Sequence, residues 1–183
     1  MFEGWDKITP DQVLKFDNPL TKFLCPITAN IYNIIFGRFK IRNVDKNIIL
    51  QEFVPEVEDY TYADQTDEVR FLQYTLPADI LRVKNIGTTV EFKVGGIEVK
   101  NFRMIERHYF KEKLVKSFDF IFGFCIPNST NTWESIYELP MLTESEIKGM
   151  ATSTREFKSD SFYFAENKLI MHHRAEYDYI EMK

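Results

Sequence analysis

Residues 113–126 read KLVKSFDFIFGFCI, and apolar side chains recur at every second position along much of this segment. Successive side chains of a β-strand point to opposite faces of the sheet, so this alternation predicts a long strand with one buried face. Four aromatic residues share the even-numbered face: Phe118, Phe120, Phe122 and Phe124. Taken alone, such a row favours the solid core of a β-sandwich, whose inner faces interdigitate.

The preceding segment, residues 101–110, reads NFRMIERHYF and changes this interpretation. Arg103 and Arg107 mark the odd-numbered face as the outer one, which places Glu106 and His108 on the inner face. A buried carboxylate costs several kcal/mol unless it is paired or solvated. Two explanations remain open. Either Glu106 is satisfied by His108 or Tyr74 within a solid core, or these polar groups line an apolar ligand pocket.

Period-two patterning extends over most of the chain and predicts an all-β sandwich. The predicted strands are 31–44, 47–54, 69–76, 79–84, 88–94, 97–110, 113–126, 132–138, 160–165 and 168–179. Capping boxes at Thr9 and Thr143 predict a short N-terminal helix and a short inserted helix that ends near Ala151. Glu166 and Asn167 are expected to turn the last hairpin.

The length of 183 residues predicts one domain, 1–183, with an internal core. Residues 1–28 are expected to form a helical lead-in. Residues 55–69 contain many acidic residues and no basic one, which predicts a mobile acidic loop.

Composition argues against several classes of function. A net charge of −5 without a basic cluster disfavours binding to nucleic acid or to an anionic membrane surface. The chain shows neither an apolar signal segment nor an apolar run long enough to span a bilayer, so we expect a cytoplasmic protein with Cys25 and Cys125 reduced.

Enzymatic and metal-dependent functions are also disfavoured. With three histidines and two distant cysteines, a metal site is not expected. Glu106 and His108 could act as acid and base, but the sequence has no phosphate-binding glycine loop and no nucleophile elbow. We therefore expect a binding protein without a catalytic residue or a cofactor.

Several longer motifs carry a resemblance to a known family. They are ITPDQVL (8–14), VEFKV (90–94), NFRMIERHYF (101–110), KSFDFIFGFCIPNSTNTWESIYELP (116–140), SDSFYF (159–164) and NKLIMHHRAEYDY (167–179). Together they closely resemble the uncoordinated-119 family of myristoyl-binding chaperones, which is related to the prenyl-binding phosphodiesterase delta subunit. The likeness begins at Ile8, so we expect this protein to differ from the animal members in its long N-terminal extension. Trp133 stands where those members usually have cysteine and the prenyl-binding relatives have tryptophan.

The resemblance implies an immunoglobulin-like sandwich with a deep apolar cavity for the acyl chain of N-myristoylated proteins. Such carriers solubilise cargo, for example G-protein alpha subunits and ciliary proteins, and release it to a GTP-bound Arf-like small GTPase. The resemblance also implies a cytoplasmic monomer, in some cases associated with a cilium or flagellum. A prenyl carrier of the delta-subunit type and a structural or interaction sandwich remain the alternatives.

The inner-face pattern and the resemblance together give the candidate lipid- and cargo-binding residues. These are Tyr74, Phe92, Met104, Glu106, His108, Phe118, Phe120, Phe122, Phe124, Tyr163, Met171, His173 and Tyr177. The resemblance assigns cargo contacts to Tyr74 and Glu106. An acidic acceptor such as Glu106 suits the amide N–H of an acylated glycine, which a prenylated C-terminus does not offer.

Overall fold

A computed structural model describes residues 4–54 and 66–181, which form two packed β-sheets with little helix. The strands are β1 (Ile35–Asn43), β2 (Ile48–Phe53), β3 (Phe71–Pro77), β4 (Asn85–Lys93), β5 (Val99–Phe110), β6 (Lys113–Cys125), β7 (Thr130–Glu138), β8 (Phe157–Ala165) and β9 (Lys168–Ile180). The α-helices are α1 (Pro10–Val13) and α2 (Glu144–Ala151), and 3-10 helices occupy Trp5–Lys7, Ile27–Ala29, Asp67–Arg70 and Ala78–Arg82.

The strands form a four-stranded sheet in the order β2-β1-β4-β7 and a five-stranded sheet in the order β3-β9-β8-β5-β6. All neighbours pair antiparallel except β3 and β9, which run parallel. The prediction of an all-β sandwich is thus confirmed. Within the described ranges, none of the helices is long and apolar enough to cross a membrane.

Both predicted helices begin at their capping boxes. The backbone N–H of Thr9 donates to Gln12 Oε1 over 2.8 Å, and the N–H of Thr143 donates to Glu146 Oε2 over 2.8 Å. These bonds satisfy amide groups that the first helical turn leaves unpaired. The second helix ends at Ala151, as predicted.

Two strand predictions were wrong. Residues 79–84 do not form a strand but lie largely in the 3-10 helix Ala78–Arg82, in which the three-residue repeat places Asp79 and Arg82 3.0 Å apart as an ion pair. The first strand begins at Ile35 rather than at residue 31, because the 3-10 helix Ile27–Ala29 and a following turn precede it. Of the acidic segment 55–69, residues 55–65 lie outside the described residues, and Thr66 caps the 3-10 helix that follows.

The N-terminal lead-in covers the outer face of the five-stranded sheet. Ile105, Phe162 and Leu169 point away from the other sheet, yet they are fully buried beneath lead-in residues. Arg107 on the same face donates to the carbonyl of Phe16 over 2.6 Å. The outer face of β5 is therefore buried under the lead-in, and the cavity lies on the opposite face.

Candidate lipid-binding cavity

The space between the two sheets holds a cavity of about 780 Å³. This volume falls within the range of roughly 300–1,000 Å³ typical of ligand sites. Most of its wall is apolar or aromatic. From the four-stranded sheet it includes Phe36, Phe39, Val90 and Trp133, and from the five-stranded sheet Tyr74, Met104, Tyr163 and Tyr177. The interior of this part of the sandwich is therefore hollow.

The cavity exists because small side chains meet at the centre of the five-stranded sheet. Ser159 on β8 lies directly between His108 on β5 and Ala175 on β9. Ser161 lies in the next inner-face row, between Glu106 and His173. These serines and Ala175 project little volume into the interior, so the space above them stays open.

Glu106 and His108 lie side by side in the cavity wall. Nε2 of His108 is 2.8 Å from Oε1 of Glu106, and the Tyr137 hydroxyl donates to Oε2 over 2.6 Å. Burial by itself raises the pKa of the Glu106 carboxyl, but the electrostatic interaction with His108 and the hydrogen bonds to His108 and Tyr137 outweigh it and lower that pKa. Each explanation from the sequence thus holds in part: the carboxylate is paired with His108, but it lines a cavity and not a solid core.

Tyr74 does not pair with Glu106. Its ring stacks on that of Tyr177, with centroids 5.4 Å apart, and its hydroxyl has no hydrogen-bond partner among the described residues. Burial and the negative charge of Glu106 raise the pKa of Tyr74, so the group is a neutral phenol. Tyr177 instead shares a hydrogen bond with Ser159 over 2.9 Å. With respect to the residues that the structure describes, the Tyr74 hydroxyl is consequently available to a ligand in the cavity.

The adjacent histidines of β9 face opposite ways, as predicted. His173 lines the cavity between the rings of Phe36 and Tyr163, at centroid distances of 5.4 and 5.3 Å. Burial, with smaller effects of His172 and Arg70, lowers the pKa of His173 to about 3. His173 is therefore a neutral imidazole. Across residues 4–54 and 66–181, no group of three or more histidine, cysteine, aspartate or glutamate side chains could hold a metal ion.

Seven of the thirteen candidate residues lie in the cavity wall: Tyr74, Met104, Glu106, His108, Tyr163, His173 and Tyr177. Six do not line it: Phe92, Phe118, Phe120, Phe122, Phe124 and Met171. Five of them, all except Phe124, belong to the two apolar clusters that also contain residues of the wall. The Phe118 ring, for example, lies 4.5 Å from that of Tyr137.

The phenylalanine row of β6 is interrupted before its end. Gly123 has a φ of +99°, and the pairing of β5 with β6 is irregular where Phe102 meets it. A glycine tolerates this conformation, which reverses the alternation of the residues that follow. Phe124 is consequently 53% exposed while Cys125 is fully buried, so the prediction that Phe124 faces the interior was wrong.

Sequence reasoning missed the contribution of the four-stranded sheet. Cavity residues from this sheet include Phe36, Phe39, Val90, Trp133, Ser135 and Tyr137. The alternation of Trp133, Ser135 and Tyr137 with outward residues of β7 was a readable signal. Their assignment to a cavity nevertheless required knowing that this strand lies opposite β5.

Comparison of the sequence with known proteins identifies a matching family and several similar proteins. The profile of the family "GMP-PDE, delta subunit" matches residues 28–179. The chain is 47% identical over 174 residues to Protein unc-119 of Caenorhabditis briggsae, covering 94% of this chain and 80% of that protein. It is 49% identical to Protein unc-119 homolog B of Danio rerio (94% of this chain, 74% of that protein) and 47% identical to the Homo sapiens homolog B (95% and 72%).

Proposed function

The chain belongs to the GMP-PDE delta subunit family, within which it groups with the unc-119 proteins, and we propose that it is a lipid-binding carrier and not an enzyme. The single observation that carries this proposal is the apolar cavity of about 780 Å³ with a few polar groups in its wall. The carrier requires no cofactor. Its ligand is the myristoyl or other fatty-acyl group of cargo proteins.

Apolar burial alone does not make a carrier. A myristoyl chain gains roughly 10 kcal/mol on leaving water, at about 0.8 kcal/mol for each methylene. A bilayer offers the same gain, so the protein must add contacts that lipid does not provide. Hydrogen bonds to charged groups, worth about 1.5–3 kcal/mol each, supply such contacts.

Glu106 and Tyr74 are suited to this role. Glu106 already accepts one hydrogen bond at each oxygen, but a carboxylate has about four lone-pair sites and retains acceptor capacity. The Tyr74 hydroxyl has no partner among the described residues. We propose that these two groups bind the amide N–H groups of the first cargo residues. A glycine at the acylation site fits beside the buried chain because it has no side chain.

Fluorescence polarisation with matched myristoylated, farnesylated and unmodified peptides tests the choice of lipid. We expect the myristoylated peptide to bind most tightly, because the amide N–H of its glycine directly adjoins the acyl chain. A farnesyl chain is attached through a cysteine side chain, which separates it from the nearest amide N–H. A second candidate, a prenyl carrier, is favoured by Trp133, which lines the cavity and matches the prenyl-binding relatives at this position. Equal or tighter farnesyl binding would establish that candidate instead.

We further propose that a GTP-bound Arf-like small GTPase releases the cargo, in the cytoplasm or at a cilium or flagellum. An effector lowers cargo affinity when it favours a carrier conformation with a narrowed cavity. Stopped-flow measurement of peptide dissociation tests this. The GTPase loaded with a GTP analogue should speed dissociation, and its GDP form should not. A rate of peptide dissociation that neither form of the GTPase changes would contradict release by the GTPase.

A further inference from the structure

Two lysines in the cavity wall have no ion-pair partner within the described residues. Lys111 lies in the turn between β5 and β6, and Lys116 lies on β6 directly opposite His108. The neighbouring Lys158, by contrast, pairs with Glu112 over 2.5 Å. The contacts of the two lysine ammonium groups are with aromatic rings: Lys111 Nζ lies 5.4 Å from the centroid of Phe110, and Lys116 Nζ lies 5.9 Å from that of Phe118.

The carboxylates of the cavity wall do not balance these charges. Glu106 is bonded to His108 and Tyr137, as described above. Glu146 accepts from both the backbone N–H and the hydroxyl of Thr143, over 2.8 and 2.7 Å, because it completes the cap of α2. Within the described part of the chain, the end of the cavity at the β5–β6 turn therefore carries two positive charges without an ion-pair partner, beside a large apolar volume. A complementary ligand has an anionic group at the end of a hydrocarbon chain.

We propose that the cavity also binds unesterified fatty acids, with the carboxylate at Lys111 and Lys116 and the tail in the apolar interior. A fatty acid is ionised at neutral pH. Its carboxylate matches the two lysines, and its hydrocarbon tail matches the apolar volume beside them. The ligand is distinct from an N-acylated protein, whose acyl carbonyl is an uncharged amide. Because both would fill one volume, a fatty acid competes with cargo.

Isothermal titration calorimetry of the whole chain with three soluble ten-carbon ligands tests the proposal: sodium decanoate, 1-decanol and decylammonium chloride. The three share a tail and differ in the charge of the head group. We expect decanoate to bind about three- to ten-fold more tightly than decanol, with decylammonium weakest, because one or two charge-assisted contacts distinguish them.

The variant K111Q/K116Q should lose the preference for decanoate while its affinity for decanol stays unchanged. The matched control K22Q/K46Q makes the same change in net charge and should keep the preference for decanoate. Lys22 and Lys46 are exposed, lie outside the cavity wall and form no ion pair with the described residues. The proposal is overturned if wild-type protein binds decanoate no more tightly than decanol, or if K111Q/K116Q retains the preference. Tight binding of a myristoylated peptide in either case would leave the carrier proposal standing.

Discussion

Nε2 of His108 lies 2.8 Å from Oε1 of Glu106, two residues away on the same face of β5. This contact satisfies a carboxylate that lies in a largely apolar part of the cavity wall. It lowers the pKa of the Glu106 carboxyl despite burial, so the group remains an anion at neutral pH. The cavity therefore contains a preorganised acceptor that a lipid bilayer lacks.

The substitution Glu106→Gln should weaken binding of a myristoylated peptide by about tenfold, because it replaces charge-assisted hydrogen bonds with neutral ones. Fluorescence polarisation measures the change. Tyr137→Phe is the matched control, since it removes one hydrogen bond to the carboxylate but keeps the charge. We expect a smaller loss of affinity in the control. Unchanged binding by Glu106→Gln would remove the role assigned to Glu106.

The substitution Ser161→Phe should abolish lipid binding while the protein stays folded. A large ring at this position fills the space that the small side chains of Ser159 and Ser161 leave open. Ser161→Ala is the matched control and should bind normally, because it removes only the hydroxyl. Peptide binding and urea unfolding, measured on both variants, separate a filled cavity from a damaged fold. Wild-type affinity in Ser161→Phe would contradict the placement of the acyl chain.

Stability should fall between pH 7 and pH 5, partly because of His173. The pKa of His173 is about 3 in the folded protein and about 6.5 in an unfolded chain, so only the unfolded state takes up the proton in this range. The loss from this residue is about 2 kcal/mol at pH 5. Burial also lowers the pKa of His172, which acts in the same direction.

Urea unfolding of wild type and His173→Gln at pH 7, 6 and 5 measures this contribution. The variant removes the titrating group and should show a flatter dependence on pH, whatever its stability at pH 7. His172 remains in both proteins and serves as the internal reference. Parallel curves for the two proteins would show that His173 does not resist protonation in the folded state.

The N-terminal lead-in should loosen when His172 is changed to Phe. Nδ1 of His172 accepts from the backbone N–H of Leu24 over 3.1 Å, and Nε2 bonds to Asp160 over 2.9 Å. A phenyl ring retains the stacking on Phe162 but removes both hydrogen bonds, at a cost of about 0.5–1.5 kcal/mol for the bond to Leu24 and about 1.5–3 kcal/mol for the bond to the Asp160 carboxylate.

Hydrogen exchange at the Leu24 amide and the free energy of unfolding report this change. We expect faster exchange and lower stability in His172→Phe, whereas Lys22→Ala, at an exposed lead-in residue, should resemble wild type. Protection of the Leu24 amide equal to wild type would show that the hydrogen bond to His172 does not hold the lead-in.

Much of the fold was readable from local patterns. Both capping boxes begin helices where predicted, and Glu166 and Asn167 turn the last hairpin with φ values of 49° and 63°. Such left-handed conformations suit a two-residue turn between antiparallel strands. The inward direction of Glu106 and His108 also followed from the outward arginines beside them. Local alternation failed at Gly123, where one positive φ reversed the faces.

Except beyond Gly123, the sequence by itself determined which candidate side chains point inward, because alternation along a strand is a property of neighbouring residues. Only the tertiary structure decided that the interior is hollow. Ser159, Ala175 and His108 come from three strands, and their alignment in one row depends on strand pairing between residues far apart in the chain. A void arises where facing side chains fail to meet, and that depends on the register and separation of both sheets.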